Sequence, residues 1–250
     1  PIPSHRIEIR LDDIEKAGLY PNRENLDVVA QQFRRIKRPI IKAAFDADLP
    51  IGKNANVVMM ASALPGAGKS FCSFNLAQSI ALEREIGSVL VDADVLKPGI
   101  SRSLDLEDSV GLIDYLIDDS IQLEDILVQS DFHDIVFIPA GSKHPQATEL
   151  LASRRMLDLI EHLSIRYRSR AVIFDTPPLL ITNEAQALAE IMGQIVLVIE
   201  ARISTQESVI RALGMLDRQK PVNAILNKSR SANGSGYQSD DYGYYPNGTE

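Results

Sequence analysis

The sequence of 250 residues predicts an α/β fold in which helices cover both faces of a largely parallel sheet. The first observation is that, from residue 55 onward, short apolar runs alternate with segments of helical length and spacing. The second is that most of these runs are continuously apolar, as in strands that are buried on both faces. Parallel strands joined through helices make right-handed crossovers, so the chain reads as a series of βαβ units.

The part of the chain before residue 46 is predicted to be helical. Residues 1–22 form a leader whose short helix-like stretch ends at Pro21. Apolar residues then recur between 29 and 40 at helical spacing, which predicts an amphipathic helix that is bent or split at Pro39. The other face of this helix carries only basic residues, namely Arg34, Arg35, Lys37, Arg38 and Lys42.

Six strands and the helices between them follow. The strand candidates are residues 56–62, 88–93, 134–139, 170–175, 194–200 and 222–227. Segments such as 70–85, 148–164 and 205–217 have helical length and spacing. The pattern stops at about residue 229, where Ser, Gly and Asn predict a disordered tail. We therefore expect a leader (1–22), one folded domain (23–228) and a flexible tail (229–250).

Composition excludes several classes of protein. The net charge is −8, which argues against a nucleic-acid-binding protein because such proteins carry a basic footprint. The single cysteine, Cys72, has no partner for an internal disulfide, which favours a reducing, cytoplasmic setting. The four histidines lack the spacing of zinc ligands, and no apolar run reaches the length of a membrane span.

The most informative segment is an apolar strand that runs into Pro-Gly-Ala-Gly-Lys-Ser and then a helix, which predicts a P-loop NTPase-type site. Gly66 and Gly68 let backbone N–H groups converge on an anion, because neither has a Cβ. Lys69 supplies a cation for the phosphates, and Ser70 a hydroxyl for Mg²⁺. Ala63 stands where the strict pattern has its first glycine, which a negative φ would accommodate. The predicted nucleotide contacts are Pro65, Gly66, Ala67, Gly68, Lys69, Ser70 and Phe71.

Carboxylates end two of the predicted strands. Asp92 and Asp94 follow one apolar run, and Asp175 follows another. Ligands of open α/β sheets bind beyond the carboxyl ends of the strands, so we expect these side chains to meet at the phosphate site. They predict a Mg²⁺ site that also uses nucleotide phosphates, with either Asp92 or Asp94 orienting the nucleophile.

The tail holds Tyr237, Tyr242, Tyr244 and Tyr245, four of the seven tyrosines in the chain. They are separated by Gly, Ser, Asp, Asn and Pro, with no apolar pattern that would bury them. Taken alone, this segment is a low-complexity aromatic stretch. A phosphate-transfer site elsewhere in the chain favours another interpretation, in which exposed tyrosines are phosphoacceptors.

Together these residues resemble the bacterial tyrosine kinases (BY-kinases), the cytoplasmic kinases of exopolysaccharide assembly. Residues 65–70 match the family's Walker A loop, and residues 175–178 match its Walker B motif, Asp-Thr-Pro-Pro. Residues 92–98 match its Walker A′ motif, Asp-x-Asp-x-Arg-x-Pro, except that Leu96 replaces the arginine. The resemblance covers roughly residues 25–250, and the tail is most similar to the tyrosine autokinases of exosortase-associated loci.

This resemblance implies an ATP-dependent tyrosine autokinase with Mg²⁺. Lys69 would hold the β- and γ-phosphates of ATP or ADP, and Asp92 would accept the proton of a tail tyrosine from a neighbouring subunit. The roles of Asp92 and Asp94 can be interchanged. Asn227 is implied as a contact of the adenine. The implied catalytic residues are Lys69, Asp92, Asp94 and Asp175, and the implied metal ligands are Ser70, Asp94 and Asp175.

The resemblance also implies partners. The family's oligomerisation motif, Glu-x-x-Arg-x-x-Arg, falls on Gln31, Arg34 and Lys37, and it implies a homo-oligomer such as a ring. Gln31 removes the first charge of that motif, and the basic helix face is either an oligomer contact or a solvated surface. Further implied partners are a membrane-bound polysaccharide co-polymerase or activator, which recruits the kinase to the inner face of the membrane, and a tyrosine phosphatase.

Two other interpretations remain open. The chain is either a MinD/ParA-type ATPase switch or a nucleotide-sensing scaffold in which Leu96 marks lost kinase chemistry. MinD/ParA proteins carry a signature lysine at the position of Leu64 and commonly end in a basic helix or patch. The acidic, tyrosine-rich end of this chain favours the kinase over the switch.

Overall fold

One eight-stranded sheet organises the computed structural model, which describes residues 5–46 and 53–229. The strands are β1 (His5–Ile7), β2 (Val57–Ser62), β3 (Gly87–Asp92), β4 (Val128–Ser130), β5 (Ile135–Ile138), β6 (Arg170–Asp175), β7 (Gln194–Glu200) and β8 (Val222–Asn227). Their order is β1-β4-β5-β3-β6-β2-β7-β8. All neighbours are parallel except β4 and β5. The predicted α/β class and parallel sheet are confirmed.

Helices lie on both faces of this sheet. They are α1 (Leu11–Lys16), α2 (Leu26–Phe45), α3 (Lys69–Ala81), α4 (Gly99–Ser103), α5 (Leu112–Ile117), α6 (Ala147–Leu151), α7 (Arg154–Arg166), α8 (Asn183–Ile191) and α9 (Gln206–Gly214), with a 3-10 turn at Leu123–Ile126. Strands β2 and β3 are buried along their whole length, which explains their unbroken apolar sequence. In the described residues, no helix is long and apolar enough to cross a membrane.

The structure differs from the sequence prediction in four elements. Strands β1 and β4 were not predicted, because three residues are too few to show a period. The segment 148–164 forms two helices rather than one, since the Ser153 hydroxyl accepts a bond from the Met156 N–H and begins α7. Helix α2 is not split at Pro39 but continues through it.

The N-terminal residues 5–22 are built into the same sheet and core. Strand β1 pairs with β4, and Ile14 and Leu19 are buried. The Asn75 side chain in α3 donates to the Leu19 carbonyl at 2.8 Å. This segment therefore packs against the helix that follows the predicted phosphate loop.

Helix α2 packs against α3 and buries one of its basic residues. Phe33 and Phe71 meet edge to face, with ring centroids 6.3 Å apart. Lys37 is buried, and its ammonium donates to the Ser79 carbonyl at 2.5 Å and pairs with the Glu83 carboxylate at 2.6 Å. The predicted basic face of α2 is therefore smaller than the sequence indicated, because the Lys37 charge is neutralised within the chain.

Gly111, just before α5, lies very close to the backbone that follows β5, and this close approach can be tested by mutation. A Cβ on Gly111 would lie 2.3 Å from the Pro139 carbonyl oxygen and 2.4 Å from the Gly141 nitrogen. Because both are backbone atoms, Gly111→Ala should lower the free energy of unfolding by about 2 kcal/mol in urea denaturation. Gly214→Ala, where nothing lies within 4 Å, is the control and should change it by less than about 0.5 kcal/mol. Equal effects of the two substitutions would contradict the close approach.

Candidate active site

The phosphate loop connects the buried end of β2 to the first turn of α3. Gly66 and Gly68 have φ values of 85° and 86°, in the left-handed region that glycine tolerates best. A Cβ on Gly68 would also lie 2.2 Å from the Asn227 side-chain nitrogen. Ala63 does not have a positive φ, so alanine fits where the strict motif has glycine. Both loop glycines are thus required by backbone geometry.

Side chains at the ends of β7 and β8 contact the phosphate loop and hold it in place. Asn227 donates to the Ala67 carbonyl at 2.8 Å. The Lys228 ammonium donates to the Gly66 carbonyl at 2.6 Å and pairs with the buried Glu200 carboxylate at 2.9 Å. These contacts satisfy two loop carbonyls and fix the loop backbone, whose N–H groups can converge on an anion. Asn227, predicted as an adenine contact, is placed here as a support of the loop.

A buried carboxylate joins the loop to the neighbouring strand. Asp175, at the end of β6, is 1% exposed and accepts hydrogen bonds from the Ser70 hydroxyl at 2.6 Å and the Ser73 hydroxyl at 2.9 Å. Burial raises the pKa of Asp175 to about 6, although these hydroxyls and Lys69 oppose the rise. Because Ser70 donates its proton to Asp175, the lone pairs of its oxygen remain available to a cation.

The two carboxylates of the Asp-x-Asp motif have different surroundings. Asp92 is 1% exposed, and its Oδ2 accepts from the Ser101 N–H at 2.7 Å and the Ser101 hydroxyl at 2.8 Å. Its Oδ1 is buried and has no hydrogen-bond partner within the described residues. Burial, reinforced by Asp175, raises the Asp92 pKa to about 8. Asp94 is half-buried, and burial raises its pKa against the opposing charge of Lys69.

A cleft of about 580 Å³ opens above these groups. The predicted site residues that line it are Pro65, Gly66, Gly68, Lys69, Ser70, Phe71 and Asp94. Asp92 and Asp175 lie beneath the surface rather than on it, since each is almost fully buried. Lys69 is 8% exposed, and its ammonium donates to the Ser62 hydroxyl at 3.2 Å. The structure thus brings the motifs together at the carboxyl ends of β2, β3 and β6, although they lie up to 110 residues apart in the sequence.

The donor set fits Mg²⁺ bound together with a nucleotide. Within residues 5–46 and 53–229, no cluster of three or more His, Cys, Asp or Glu forms a metal cage. Magnesium ordinarily binds through one or two carboxylates, phosphates and water, so it does not need such a cage. Ser70 and Asp94 line the cleft, and Asp175 holds Ser70 in place. Ser70, Asp94 and Asp175 are the residues that would hold the ion. When bound, the ion would neutralise the charge of the phosphates.

Several supporting residues were missed in the sequence. Ser73 and Ser101 hold the two buried carboxylates, and Lys228 holds the loop. Ser73 lies one helical turn after Ser70, so its position could have been found from the helix period. Lys97 and Arg102 also line the cleft, near the position where Leu96 replaces the motif arginine. Nothing in the sequence indicates these longer-range contacts.

Comparisons with known proteins agree with this geometry. The chain is 32% identical over 218 residues to tyrosine-protein kinase YwqD of Bacillus subtilis, covering 86% of each protein. It is 26% identical to the putative tyrosine-protein kinase CapB of Staphylococcus aureus, covering 91% of this chain and 94% of that one. It is 31% identical to the succinoglycan biosynthesis transport protein ExoP of Rhizobium meliloti, of which it spans 23%. No protein-family model matches the chain.

Solved structures show the same similarity. The kinase domain of VpsO superposes with a TM-score of 0.68 at 26% identity, covering 83% of this chain and all of that one. The kinase domain of Escherichia coli tyrosine kinase ETK gives 0.67 at 26% identity, covering 83% and 80%. MinD of Aquifex aeolicus gives 0.54 at 19% identity, covering 70% of each, which shows a shared fold alone.

The buried Asp92 predicts how stability depends on pH. Its pKa of about 8 lies above the ordinary 3.8, so the folded chain keeps a proton that the unfolded chain releases. The resulting stabilisation is present at low pH and is lost as pH rises through 8. Between pH 6.5 and 8, above the pKa of Asp175, Asp92 should cost about 1–2 kcal/mol of unfolding free energy.

Asp92→Asn removes this titration and keeps the shape of the side chain. Denaturant unfolding of the nucleotide-free protein at the two pH values should therefore show a smaller loss in Asp92→Asn than in the unmodified chain. All other side chains are the same in the two proteins, so their contributions cancel in the comparison. The same loss in both proteins would show that Asp92 is ionised throughout this range.

Proposed function

The chain belongs to the family of bacterial tyrosine-protein kinases, and from that premise we propose that it is an ATP-dependent autokinase acting on its own C-terminal tyrosines. The observation that carries the proposal is the hydrogen bond from Ser70 to Asp175, beside Lys69 and Asp94 in one cleft. This arrangement joins a phosphate loop to carboxylates at the ends of two neighbouring strands. Proteins with similar sequences include several named as tyrosine-protein kinases and one named as a succinoglycan biosynthesis transport protein, so we propose that this kinase regulates exopolysaccharide synthesis or export.

Binding of the nucleotide depends on the loop and on Lys69. The loop N–H groups and the N-terminus of α3 favour the negative phosphates. Lys69, at the first position of α3, adds a positive charge and is nearly buried, so its attraction to a phosphate is only weakly screened by water. Ser70 would contact Mg²⁺, which neutralises phosphate charge when it is bound.

The acceptor reaction needs a base near the cleft surface. The tyrosine oxygen forms a bond to the γ-phosphorus, the bond from that phosphorus to the bridging oxygen breaks, and ADP leaves. We assign the phenol proton to Asp94, because Asp94 lines the cleft whereas Asp92 is buried against Ser101. Burial raises the pKa of Asp94, which brings it nearer the range of an effective general base. The proton-accepting role predicted for Asp92 thus passes to Asp94, and in this proposal Ser70, oriented by Asp175, is the residue that contacts Mg²⁺.

The proposed acceptors are Tyr237, Tyr242, Tyr244 and Tyr245, which lie outside the described residues. Phenols have a pKa near 10, so in-line placement and a neighbouring carboxylate matter more than ionisation in bulk water. Glycine and serine around these tyrosines would give the segment the reach to enter the active site of a neighbouring subunit.

Partners of this kinase are part of the same proposal. Gln31 and Arg34 are exposed on α2 and are available as oligomer contacts, whereas Lys37 is engaged within the chain. The related transport protein ExoP supports a membrane-bound polysaccharide partner that recruits the kinase to the membrane. A tyrosine phosphatase would reverse the modification.

The MinD-type switch is the second candidate. The fold alone is compatible with it, since MinD superposes on 70% of the chain. Leu64 occupies the position of the signature lysine of that class, and the sequence relatives are named as kinases. These two observations favour the kinase.

The purified chain, incubated with Mg²⁺ and ATP, tests the proposal. Mass spectrometry should find phosphate on the tail tyrosines, and Lys69→Met should reduce this labelling at least a hundredfold, because the phosphates lose their cation. Gln78→Met, on the same helix but outside the cleft, is the control and should leave labelling unchanged.

Three outcomes would contradict the proposal. ATP hydrolysis without tyrosine labelling would identify a switch, and nucleotide binding without either reaction would identify a scaffold. Labelling that persists in Lys69→Met would show that another kinase is responsible.

A further inference from the structure

A second groove, of about 400 Å³, lies between α2 and the end of α3. Its walls are basic and contain Arg34, Arg38 and Lys42. Ile41 and Ile86, both half-buried, provide apolar surface. The remaining lining residues are Lys37 and Glu83, which pair with each other. The groove therefore combines an apolar floor with three cations and one neutralised acid.

The side chains of the three cations are not used in packing the fold. Within the described residues, neither a hydrogen bond nor an ion pair engages the side chains of Arg34, Arg38 and Lys42. Arg34 and Arg38 are one helical turn apart, so both guanidinium groups lie on the same face of α2. Two neighbouring guanidinium groups match the oxygens of a phosphate through paired hydrogen bonds. Glu83, the only acid in the lining, is already engaged by Lys37.

We propose that this groove binds a phosphotyrosine of the C-terminal segment 230–250 once the kinase has modified it. The aromatic ring would lie on Ile41 and Ile86, and the phosphate would pair with Arg34 and Arg38. Arginine clusters are a recurrent means of recognising phosphorylated motifs. The inference rests on the proposed autokinase function, because that reaction produces the ligand.

Charge and length both favour this segment as the occupant. Its acidic residues are Asp240, Asp241 and Glu250, and its only basic residue is Arg230. Each phosphate adds about −1.5 to −2 charges, so modification strengthens its attraction to the groove. The groove and the catalytic cleft lie at opposite ends of β3, since Ile86 precedes the strand and Asp92 ends it.

The distance between the two sites is within reach of the segment. Six residues of strand span about 20 Å, whereas the fifteen residues from 230 to 244 can extend to about 50 Å. The segment can therefore reach the groove of its own subunit. Once bound there, it has left the active site, and it covers Arg34, which is also the exposed arginine of the proposed oligomer contact.

The test uses a synthetic peptide, so it does not depend on kinase activity. A fluorescent peptide of residues 230–250, phosphorylated at Tyr242, Tyr244 and Tyr245, is titrated with the full chain carrying phenylalanine at the four tail tyrosines. Fluorescence anisotropy should show binding at least tenfold tighter than for the unphosphorylated peptide. Arg34→Glu and Arg38→Glu should each weaken binding at least about tenfold, because each replaces a phosphate partner by a repelling charge.

Arg35→Glu is the matched control, since it makes the same charge change on an exposed part of α2 outside the groove. It should change affinity less than threefold. Ile41→Gln should weaken binding of the phosphotyrosine peptide more than binding of a phosphoserine version. Only the phosphotyrosine peptide places an aromatic ring on the apolar floor of the groove. Equal effects of Arg34→Glu and Arg35→Glu would show nonspecific charge attraction and overturn the proposal.

Vesicles containing phosphatidylserine test the alternative that the groove serves a membrane surface. Vesicle binding that is lost in Arg38→Glu, with peptide binding unchanged, would overturn the proposal in favour of lipid. Phosphopeptide binding that fails while tail labelling persists would refute the inference and leave the kinase function intact. Binding of the synthetic phosphopeptide without any tail labelling would refute the kinase function instead.

Discussion

The structure of the active site depends on one buried carboxylate. Asp175 accepts hydrogen bonds from Ser70 and Ser73, and so connects the end of β6 to the first turn of α3. Because the Asp175 side chain is almost fully buried, its charged form is stabilised by these hydroxyls and by Lys69 rather than by water. Contacts within the chain therefore hold the loop, its lysine and this carboxylate together. Preorganisation of this kind lowers the cost of binding and of phosphate transfer.

The parts that could be predicted from the sequence are those with a local signal. The buried strands β2 and β3 show unbroken apolar runs, and the loop glycines mark the backbone geometry that a phosphate needs. The parts that could not be predicted come from contacts between distant segments. Strand β4 is three residues long and antiparallel to β5, and its place depends on pairing rather than on its own composition. The distinction between Asp92 and Asp94 depends likewise on Ser101, which only the folded chain brings close to Asp92.

The charge of α2 illustrates the same difference. In the sequence its basic residues form one set, but the fold divides them into two groups. Lys37 is buried against Ser79 and Glu83 and stabilises the packing of α2 on α3, while Arg34 and Arg38 remain exposed along the groove. The catalytic cleft lies at the carboxyl end of β3 and the groove at its amino end, so a tyrosine bound in one of them is not in the other. An acceptor segment that changes charge on modification is suited to move between them.

In the proposed kinase, Asp175 supports a Mg²⁺-bound nucleotide through its negative charge as well as through the hydrogen bond that orients Ser70. Two calorimetric titrations of ATP into the full chain, one with Mg²⁺ and one with EDTA, measure directly how much Mg²⁺ tightens ATP binding. In the unmodified protein Mg²⁺ should tighten ATP binding, and in Asp175→Asn that gain should fall at least about tenfold, since the amide does not carry the charge that supports the ion. The affinity in EDTA should change less than about threefold. An unchanged Mg²⁺-dependent gain in Asp175→Asn would contradict the account.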